Sequence, residues 1–464
     1  MKKNSIYKFV LVPAVLLSLQ SCFVAKDYTR PQVVEEEYFR TDLLPQDSLT
    51  LADVSWRELF TDPILVGYIE EGLQNNIDIR VALQQIEAAE AYMRQGKAGY
   101  FPSLNLAASG ATQNPSDNGQ LGGVGTVSQF DLSANLSWEA DIWGKIRSND
   151  MATRAAYLQT VAGHKAVKTE LIASIASLYY QLLALDEQVR ITQQTIENRE
   201  NSLETTSALK DAGIVTEVGV KQTEAQLYRA QAVLVDLENN IRLLENTFSI
   251  VLGHAPHQIE RGELEDLEIT TELAIGVPAQ LLRNRPDVIA AEYNLMNAFQ
   301  LTNVAKSNFY PSLRLTASTG LQSLEFKDWF SANSIFASLI GNLAQPIFNQ
   351  RQIRTQYEVA QAQEEIALLN FRRSLLEASR EVSDALYNYE AAEERMEIKM
   401  NEFEAYDLAT TYSEELLNNG MANYLEVLTA RENALNAQLE IINTELDQFL
   451  SIVDLYQALG GGWQ

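Results

Sequence analysis

The sequence predicts a mixed, mainly α fold. It combines a long α-helical coiled-coil barrel with a membrane β-barrel to which each chain gives four strands, and trimerisation completes both. The whole is written as an internal two-fold repeat. Three observations carry this. Two stretches run helical far beyond the length of a globular helix, two others alternate apolar and polar residues at membrane-crossing length, and both kinds recur at near-constant spacing.

The longest run, Arg351 to Asn419, contains neither Gly nor Pro and stops at Gly420. At 1.5 Å per residue a helix of this length extends about 100 Å, which no compact domain encloses. Within it Ala385, Tyr389, Ala392, Met396, Lys399, Phe403 and Tyr406 are spaced alternately four and three apart. That seven-residue period is the seam along which one helix supercoils on another. A second run, Lys145 to Ala212, is interrupted only by Gly163 and carries its own seam at Leu171, Ile175, Leu178, Leu182, Leu185 and Val189.

The N-terminus reads as a processing signal over residues 1–21. Lys2, Lys3 and Lys8 give a positive start, Phe9 to Leu19 an apolar core, and Ser21 precedes the sole cysteine, Cys22. The core is too short to span a bilayer and suits secretion. A cysteine at that place resembles a bacterial lipoprotein signal, in which Cys22 becomes the lipidated first residue of the mature chain. The formal net charge of −27 lacks the clustered Lys and Arg that track phosphates, which argues against a nucleic-acid partner.

Residues 22–61 hold Pro31, Pro45 and Glu35-Glu36-Glu37 with no sustained period, and are expected to form an extended arm. A first repeat occupies 62–278. Its opening helix starts at Asp62-Pro63, a cap followed by a first-turn proline. A β-hairpin follows at about 103–139, where Phe130, Leu132, Ala134, Leu136 and Trp138 alternate with Asp131, Ser133, Asn135, Ser137 and Glu139. A membrane-crossing strand needs about 9–11 such residues. The long helix, a break at Gly213-Ile214-Val215-Thr216, a return helix from Glu217 to Leu252 and an irregular segment complete the unit.

The second repeat, 279–464, keeps this order, with its hairpin at about 312–346. Phe101-Pro102-Ser103-Leu104 returns as Tyr310-Pro311-Ser312-Leu313, Ile142-Trp143 as Ile347-Phe348, and Gly213 as Gly420, all at offsets of about 205–209 residues. Four strands per chain cannot close a barrel, and lipid tolerates no open sheet edge. Two copies would fill their interior with side chains, whereas three leave a passage. Polar residues on the face opposite the apolar one and rods long enough to enclose a duct favour three.

Other constellations are weak. His254, His257 and Glu260 lie in an irregular loop without a further convergent ligand, so no metal is expected. The methionines are dispersed and read as packing. Arg285-Pro286-Asp287 is an ordinary helix start. No phosphate loop or catalytic triad pattern occurs, so the chain is not expected to be an enzyme.

Several blocks together resemble the TolC-like outer-membrane efflux proteins. They are Trp56-Arg57-Glu58-Leu59-Phe60 through Asp62-Pro63 and Asn76-Ile77-Asp78, then Ala140-Asp141-Ile142-Trp143-Gly144-Lys145. Further on come Leu282-Arg283-Asn284-Arg285-Pro286-Asp287-Val288 with Phe309-Tyr310-Pro311-Ser312, and the ending Tyr456-Gln457-Ala458-Leu459-Gly460-Gly461-Gly462-Trp463. With Cys22, the resemblance points to the lipoprotein branch serving resistance-nodulation-division pumps. It implies a homotrimeric exit duct set in outer-membrane lipid, conducting drugs or other small toxic compounds passively. Its expected partners are a periplasmic membrane-fusion adaptor and an inner-membrane pump, and its only non-protein group is the lipid on Cys22. The adaptor would dock at the tips formed by Gly213, Ile214, Val215 and Thr216 and by Gly420, Met421, Ala422 and Asn423. The periplasmic gate is expected on the last return helix at Leu425, with Thr429 and Glu432 on the same face by helical spacing. Relatives often carry Asp at the place of Thr429, which leaves Glu432 as the in-line acid. A periplasmic adaptor or a structural coiled-coil lipoprotein is the competing reading, and two lipid-length hairpins argue against both.

Overall fold

The computed structural model describes residues 25–31, 54–116, 118, 125–267, 284–422 and 424–463. Cys22, the signal segment and Asn423 lie outside the described residues. In chain order the helices are α1 (Trp56–Leu59), α2 (Pro63–Asn75), α3 (Ile77–Ala98), α4 (Lys145–Asp211), α5 (Glu217–Leu252), α6 (Pro286–Ser307), α7 (Gln352–Asn418) and α8 (Tyr424–Ala458). The strands are β1 (Ser103–Gln113), β2 (Val127–Ala140), β3 (Ser312–Ser323) and β4 (Ile335–Ala344). Among the described residues no helix is apolar enough over sufficient length to cross a membrane. The chain divides into two compact units, one comprising residues Met1–Gln32, Ile86–Thr160 and Ala290–Phe371, the other Val33–Gln85, Val161–Ile289 and Arg372–Gln464.

The first unit holds one antiparallel sheet in the order β1-β2-β3-β4. Its register aligns the alternation of every strand. Leu104 pairs with Leu136, Leu136 with Ala317 and Ala317 with Leu339, and one residue pair along, Trp138 meets Leu315 and Leu315 meets Gly341. Because successive side chains point to opposite faces, these residues share one continuous apolar face. The other face carries Ser133, Asn135, Ser137 and Glu139 beside Arg314, Thr316 and Ser318. It is knit by Ser318 Oγ donating to Asn135 Oδ1 (2.7 Å) and by Arg314 bound to Glu139 (3.1 Å). Aromatic rings gather at both strand ends. Phe130 packs on Phe326 and Trp329 at one end, and Trp138 donates to the Tyr100 carbonyl at the other. Such girdles mark the two interfaces of a membrane barrel.

The same unit takes residues 25–31 along α6. Asn303 exchanges hydrogen bonds with the Lys26 backbone, the Tyr28 ring meets Phe299 edge-on, and Arg30 pairs with Glu292 (3.1 Å). The expected extended arm is thus laid down there by side chains of α6. Its other end departs from expectation. Ser55 caps α1, which buries Trp56 and, one turn on, Phe60, so residues 54–61 belong to a core rather than to an arm.

The core of the second unit surrounds the middle of α4. Ile172, Ile175, Tyr179, Leu182 and Leu183 are fully buried, together with Leu65 and Ile69 of α2, Phe248 and Leu252 of α5, and Tyr456 of α8. A seam on one face was expected here. Instead, almost every residue from Leu171 to Ala184 is buried or half-buried, as in a helix surrounded by neighbours. In α7 the expected seam is present in simpler form. Ala385 and Ala392 are buried, Tyr389, Met396, Lys399, Phe403 and Tyr406 are half-buried, and the residues between Ala392 and Met396 are exposed.

The opening helix, expected to start at Asp62-Pro63 and to precede the hairpin, is two helices that meet at Asn76. Its side-chain oxygen accepts from the Asp78 and Ile79 amides (2.8 and 3.1 Å) while its amide donates to the Val251 carbonyl. It therefore ends one helix, caps the next and holds both to α5. The two blocks Asn284-Arg285-Pro286-Asp287 and Leu459–Trp463 prove to be packing partners. Arg285 is buried, binds Asp287 (2.7 Å) and Glu381 (2.6 Å), and donates to the Ala458 carbonyl. Trp463 donates to the Asn284 carbonyl and lies under the Lys165 ammonium at 3.7 Å. At Gly460 (φ +87°) the backbones come so close that an added Cβ would meet Asn284 O at 2.7 Å. The most distinctive motifs of the chain are here structural.

Candidate functional site

The helix ends around Tyr424 gather the residues expected to gate and dock. α4 and α7 stop in the same way. Gly213 (φ +75°) donates to the Lys210 carbonyl and Ile214 to that of Leu209; Gly420 (φ +70°) donates to Leu417 and Met421 to Leu416. This paired pattern satisfies two terminal carbonyls and needs a left-handed residue, which glycine supplies without strain. Each turn then presents an apolar residue outward, with Ile214 68% and Met421 70% exposed, and Val218 in the first turn of α5 is exposed as well. Thr216 is exposed, and Val215 and Ala422 are half-buried.

The first turns of α8 are held on three sides. The Tyr424 hydroxyl lies 2.8 Å from Thr206 Oγ1 of α4 and 3.0 Å from Thr223 Oγ1 of α5, and both threonines are buried. Val427 and Leu428 are buried, and Arg431 binds Glu414 of α7 and Ser202 of α4. Buried Arg199 joins Glu432 (2.7 Å) and donates to the Gln226 carbonyl, while Arg229 reaches the other oxygen of Glu432 at 3.0 Å. A cleft of about 640 Å³ runs beside this network, lined among others by Asn198, Arg199, Asp407, Glu414, Tyr424 and Arg431.

The three expected gate residues therefore do not behave alike. Leu425 is 50% exposed and Thr429 is exposed, so an apolar and a hydroxyl side chain stand one turn apart on α8. Glu432 differs from the free in-line acid that helical spacing suggested. Its carboxylate is enclosed by two guanidinium groups from other helices, so its charge is offset inside the bundle. Sequence reading missed Arg199, Arg229, Arg431 and the Thr206–Tyr424–Thr223 contact. Their partners are far apart in the chain and leave no local pattern. In the loop of His254 and His257, where no metal was expected, His254 is engaged with Glu71 (2.7 Å), and among the described residues no cluster of three or more His, Cys, Asp or Glu is arranged to hold a metal ion.

A model of the outer membrane efflux protein family matches residues 68–254 and 277–461, one segment for each repeat. The chain belongs to the outer membrane efflux protein family. It is similar along its whole length to a solvent efflux pump outer membrane protein, SrpC, of Pseudomonas putida, at 29% identity over 98% of this chain and 99% of that one. It is also similar to a probable outer membrane lipoprotein, SilC, of Salmonella typhimurium, at 28% identity over 97% and 98%. Among solved structures it superposes on the outer-membrane channel OprN with a TM-score of 0.88 and 25% identity, covering 95% of this chain and all of that one. As a member of this family the chain is an outer-membrane efflux channel, and the family is one of transport rather than catalysis.

Proposed function

We propose that three copies of this chain assemble into the passive exit duct of a tripartite efflux system. The observation that carries this is the four-stranded sheet, with a row of Leu, Ala and Trp side chains along one face, the polar residues of β2 and β3 on the other, and β1 and β4 as its open edges. Lipid tolerates neither edge, and three copies give twelve strands around a polar lumen. An acylated Cys22 would add a lipid anchor of about 0.8 kcal/mol per buried methylene, secondary to the shared barrel. The exposed apolar tips, Ile214 and Val218 with Met421, fit the docking of a membrane-fusion adaptor below the duct, with a resistance-nodulation-division pump supplying energy. Cargo would be small toxic compounds; SrpC is named for solvents, and other relatives for cations and antibiotics.

Within this reading Leu425 forms the constriction. Three copies would bring three leucines together, and an apolar ring in a narrow pore excludes water. Thr429, one turn on, adds a neutral polar ring, and Glu432 is spent on Arg199 and Arg229. The test is single-channel conductance in planar bilayers. Leu425→Ser is expected to raise it with the oligomer intact, and Thr429→Asp to introduce block by divalent cations. Unchanged conductance in a correctly assembled Leu425→Ser protein would put the constriction elsewhere.

A further inference from the structure

The connection between β3 and β4, residues 324–334, is built rather than slack. It makes two 3₁₀ turns, Phe326–Asp328 and Ala332–Ser334. Its polar groups are used locally. Ser323 Oγ donates to the Glu325 carbonyl (2.8 Å) and accepts from the Glu325 amide (3.2 Å). Ser334 Oγ donates to the Asp328 carbonyl (2.6 Å), and Lys327 pairs with Glu325 (2.6 Å). Its rings turn to one side. Phe326 and Trp329 lie 5.4 and 5.6 Å from the Phe130 ring, and Trp329 Nε1–H donates to the Leu321 carbonyl (3.3 Å). Phe130 stands two residues before Leu132, and Leu132 pairs with Leu321. By the alternation of strand side chains Phe130 therefore belongs to the apolar face. The loop is folded back over that face, at the strand ends opposite those that join α3 and α4. Even there it shows apolar surface outward. Leu324, Phe326 and Phe330 are 64%, 63% and 67% exposed, and Ile335, which carries the apolar row into β4, is exposed too.

We propose that this loop is a membrane-seated brow. Leu324, Phe326 and Phe330 enter the headgroup–acyl boundary of the outer leaflet, and the β3–β4 connection does not cover the mouth of the duct. The proposal rests on the reading of the apolar face as the lipid side, and carries that face past the ends of the strands. Large apolar side chains on an ordered, internally bonded loop are unfavourable in water and mark a contact with an apolar partner. Continuity decides which partner. The rings pack on Phe130, so whatever covers the apolar face of the sheet meets them next, and in an outer-membrane channel that is lipid. A second copy fits less well, because the loop leans over β2, where the Phe130 ring lies against Gly110 of β1, and not beyond the β4 edge. The polar residues suit the same place. Glu325, Lys327 and Asp328 alternate with the rings and are exposed, the mixture of interfacial segments whose apolar side enters the boundary by about 5–10 Å. Rings committed to lipid leave this connection little with which to close on a polar lumen.

The test is the depth of a nitroxide label in vesicles of phosphatidylcholine and phosphatidylglycerol. Phe330→Cys is labelled beside two rulers, Leu339→Cys on the apolar face of β4 and Ser338→Cys on the other face. Each is checked for the particle mass of the parent, and the parent, which keeps Cys22, is carried through the labelling as background. Collision with oxygen, which dissolves in lipid, is compared with collision with a water-soluble nickel chelate. The oxygen-to-nickel ratio at 330 is expected about tenfold above that at 338 and close to that at 339. A ratio at 330 equal to that at 338, with 339 still high, overturns the seating of the loop while the lipid face stands. Equal ratios at 338 and 339 overturn the lipid face itself. Shielding of 330 from both reagents shows cover by another copy and overturns lipid as the occupant. Adding Phe130→Ala, which removes the ring under the loop, should lower the ratio at 330 toward that at 338; no change overturns the part given to Phe130. The mouth is read separately from single-channel conductance after a bulky maleimide polymer is attached. On Lys327→Cys it is expected to leave conductance as in the parent, and on Ser338→Cys to lower it. A fall with Lys327→Cys would put the loop over the mouth.

Discussion

The sheet has one seam between its two hairpins, β2 against β3, closed within the chain, and two edges left open, at β4 and β1. Both are built from the same repeated elements, so their differences are informative. The closed seam carries a charged junction, with Glu139 held by Arg314 and by Lys145 at 3.1 Å each, and a tryptophan docked on Tyr310. The open edges put Ala344 and Asn105 at the corresponding positions and leave a bare phenylalanine at the corner. Within a chain the two halves are never far apart, so an ion pair there always has its partner. Separate copies must exist apart before they meet, and a neutral seam leaves no charge unpaired in the meantime. On the trimeric reading, duplication supplies one surface twice, once for folding and once for assembly.

The largest expected effect breaks the distinction between the two faces of the open edge. Leu339→Arg places a charge on the apolar face near mid-strand, at about 2–4 kcal/mol per copy in lipid. It is expected to abolish the assembled oligomer on detergent gels. Ser338→Arg, on the other face, should assemble and shift ion selectivity toward anions. Equal behaviour of the two variants would remove the basis for assigning lipid and lumen sides.

A smaller effect separates the two corners. Trp143→Ala removes a half-buried ring and its hydrogen bond, for about 2 kcal/mol. That loss should appear as lower thermal stability at any protein concentration. On the trimeric reading Phe348→Ala, at the exposed place after β4 that Trp143 holds after β2, should instead lower stability in a concentration-dependent way. The smallest effect moves the ion pair. Ala344→Glu with Asn105→Arg imports the Glu139–Arg314 pair into the open seam, and is expected to stabilise the oligomer by up to about 1 kcal/mol over either single variant. No coupling between the two would show that these positions do not meet.

Much of the fold was legible in the sequence because it is periodic. The ends of α4 and α7 follow from Gly213 and Gly420, and the strands follow from alternation with Pro102 and Pro311 as punctuation. What was not legible depends on partners distant in the chain. Nothing near Asn76 announces the Val251 carbonyl that holds it, and nothing near Trp56 reveals a core 400 residues long in sequence, where the Tyr456 hydroxyl donates to the Val54 carbonyl. At the candidate gate, helical spacing groups Leu425 and Thr429, and both are exposed. It could not tell that Arg199 and Arg229, from two other helices, close on Glu432. Spacing fixes the direction in which a side chain leaves its helix; the neighbours decide where a long one ends.

The most direct measurement is the number of chains in the purified particle. Its mass by light scattering in mild detergent, corrected for bound detergent, should correspond to three copies, with β-structure retained. A stable single-copy particle with its full strand content would mean that the open edges of β4 and β1 need no partner, and a two-copy particle would close an eight-stranded barrel too narrow for a duct; either result would contradict the account.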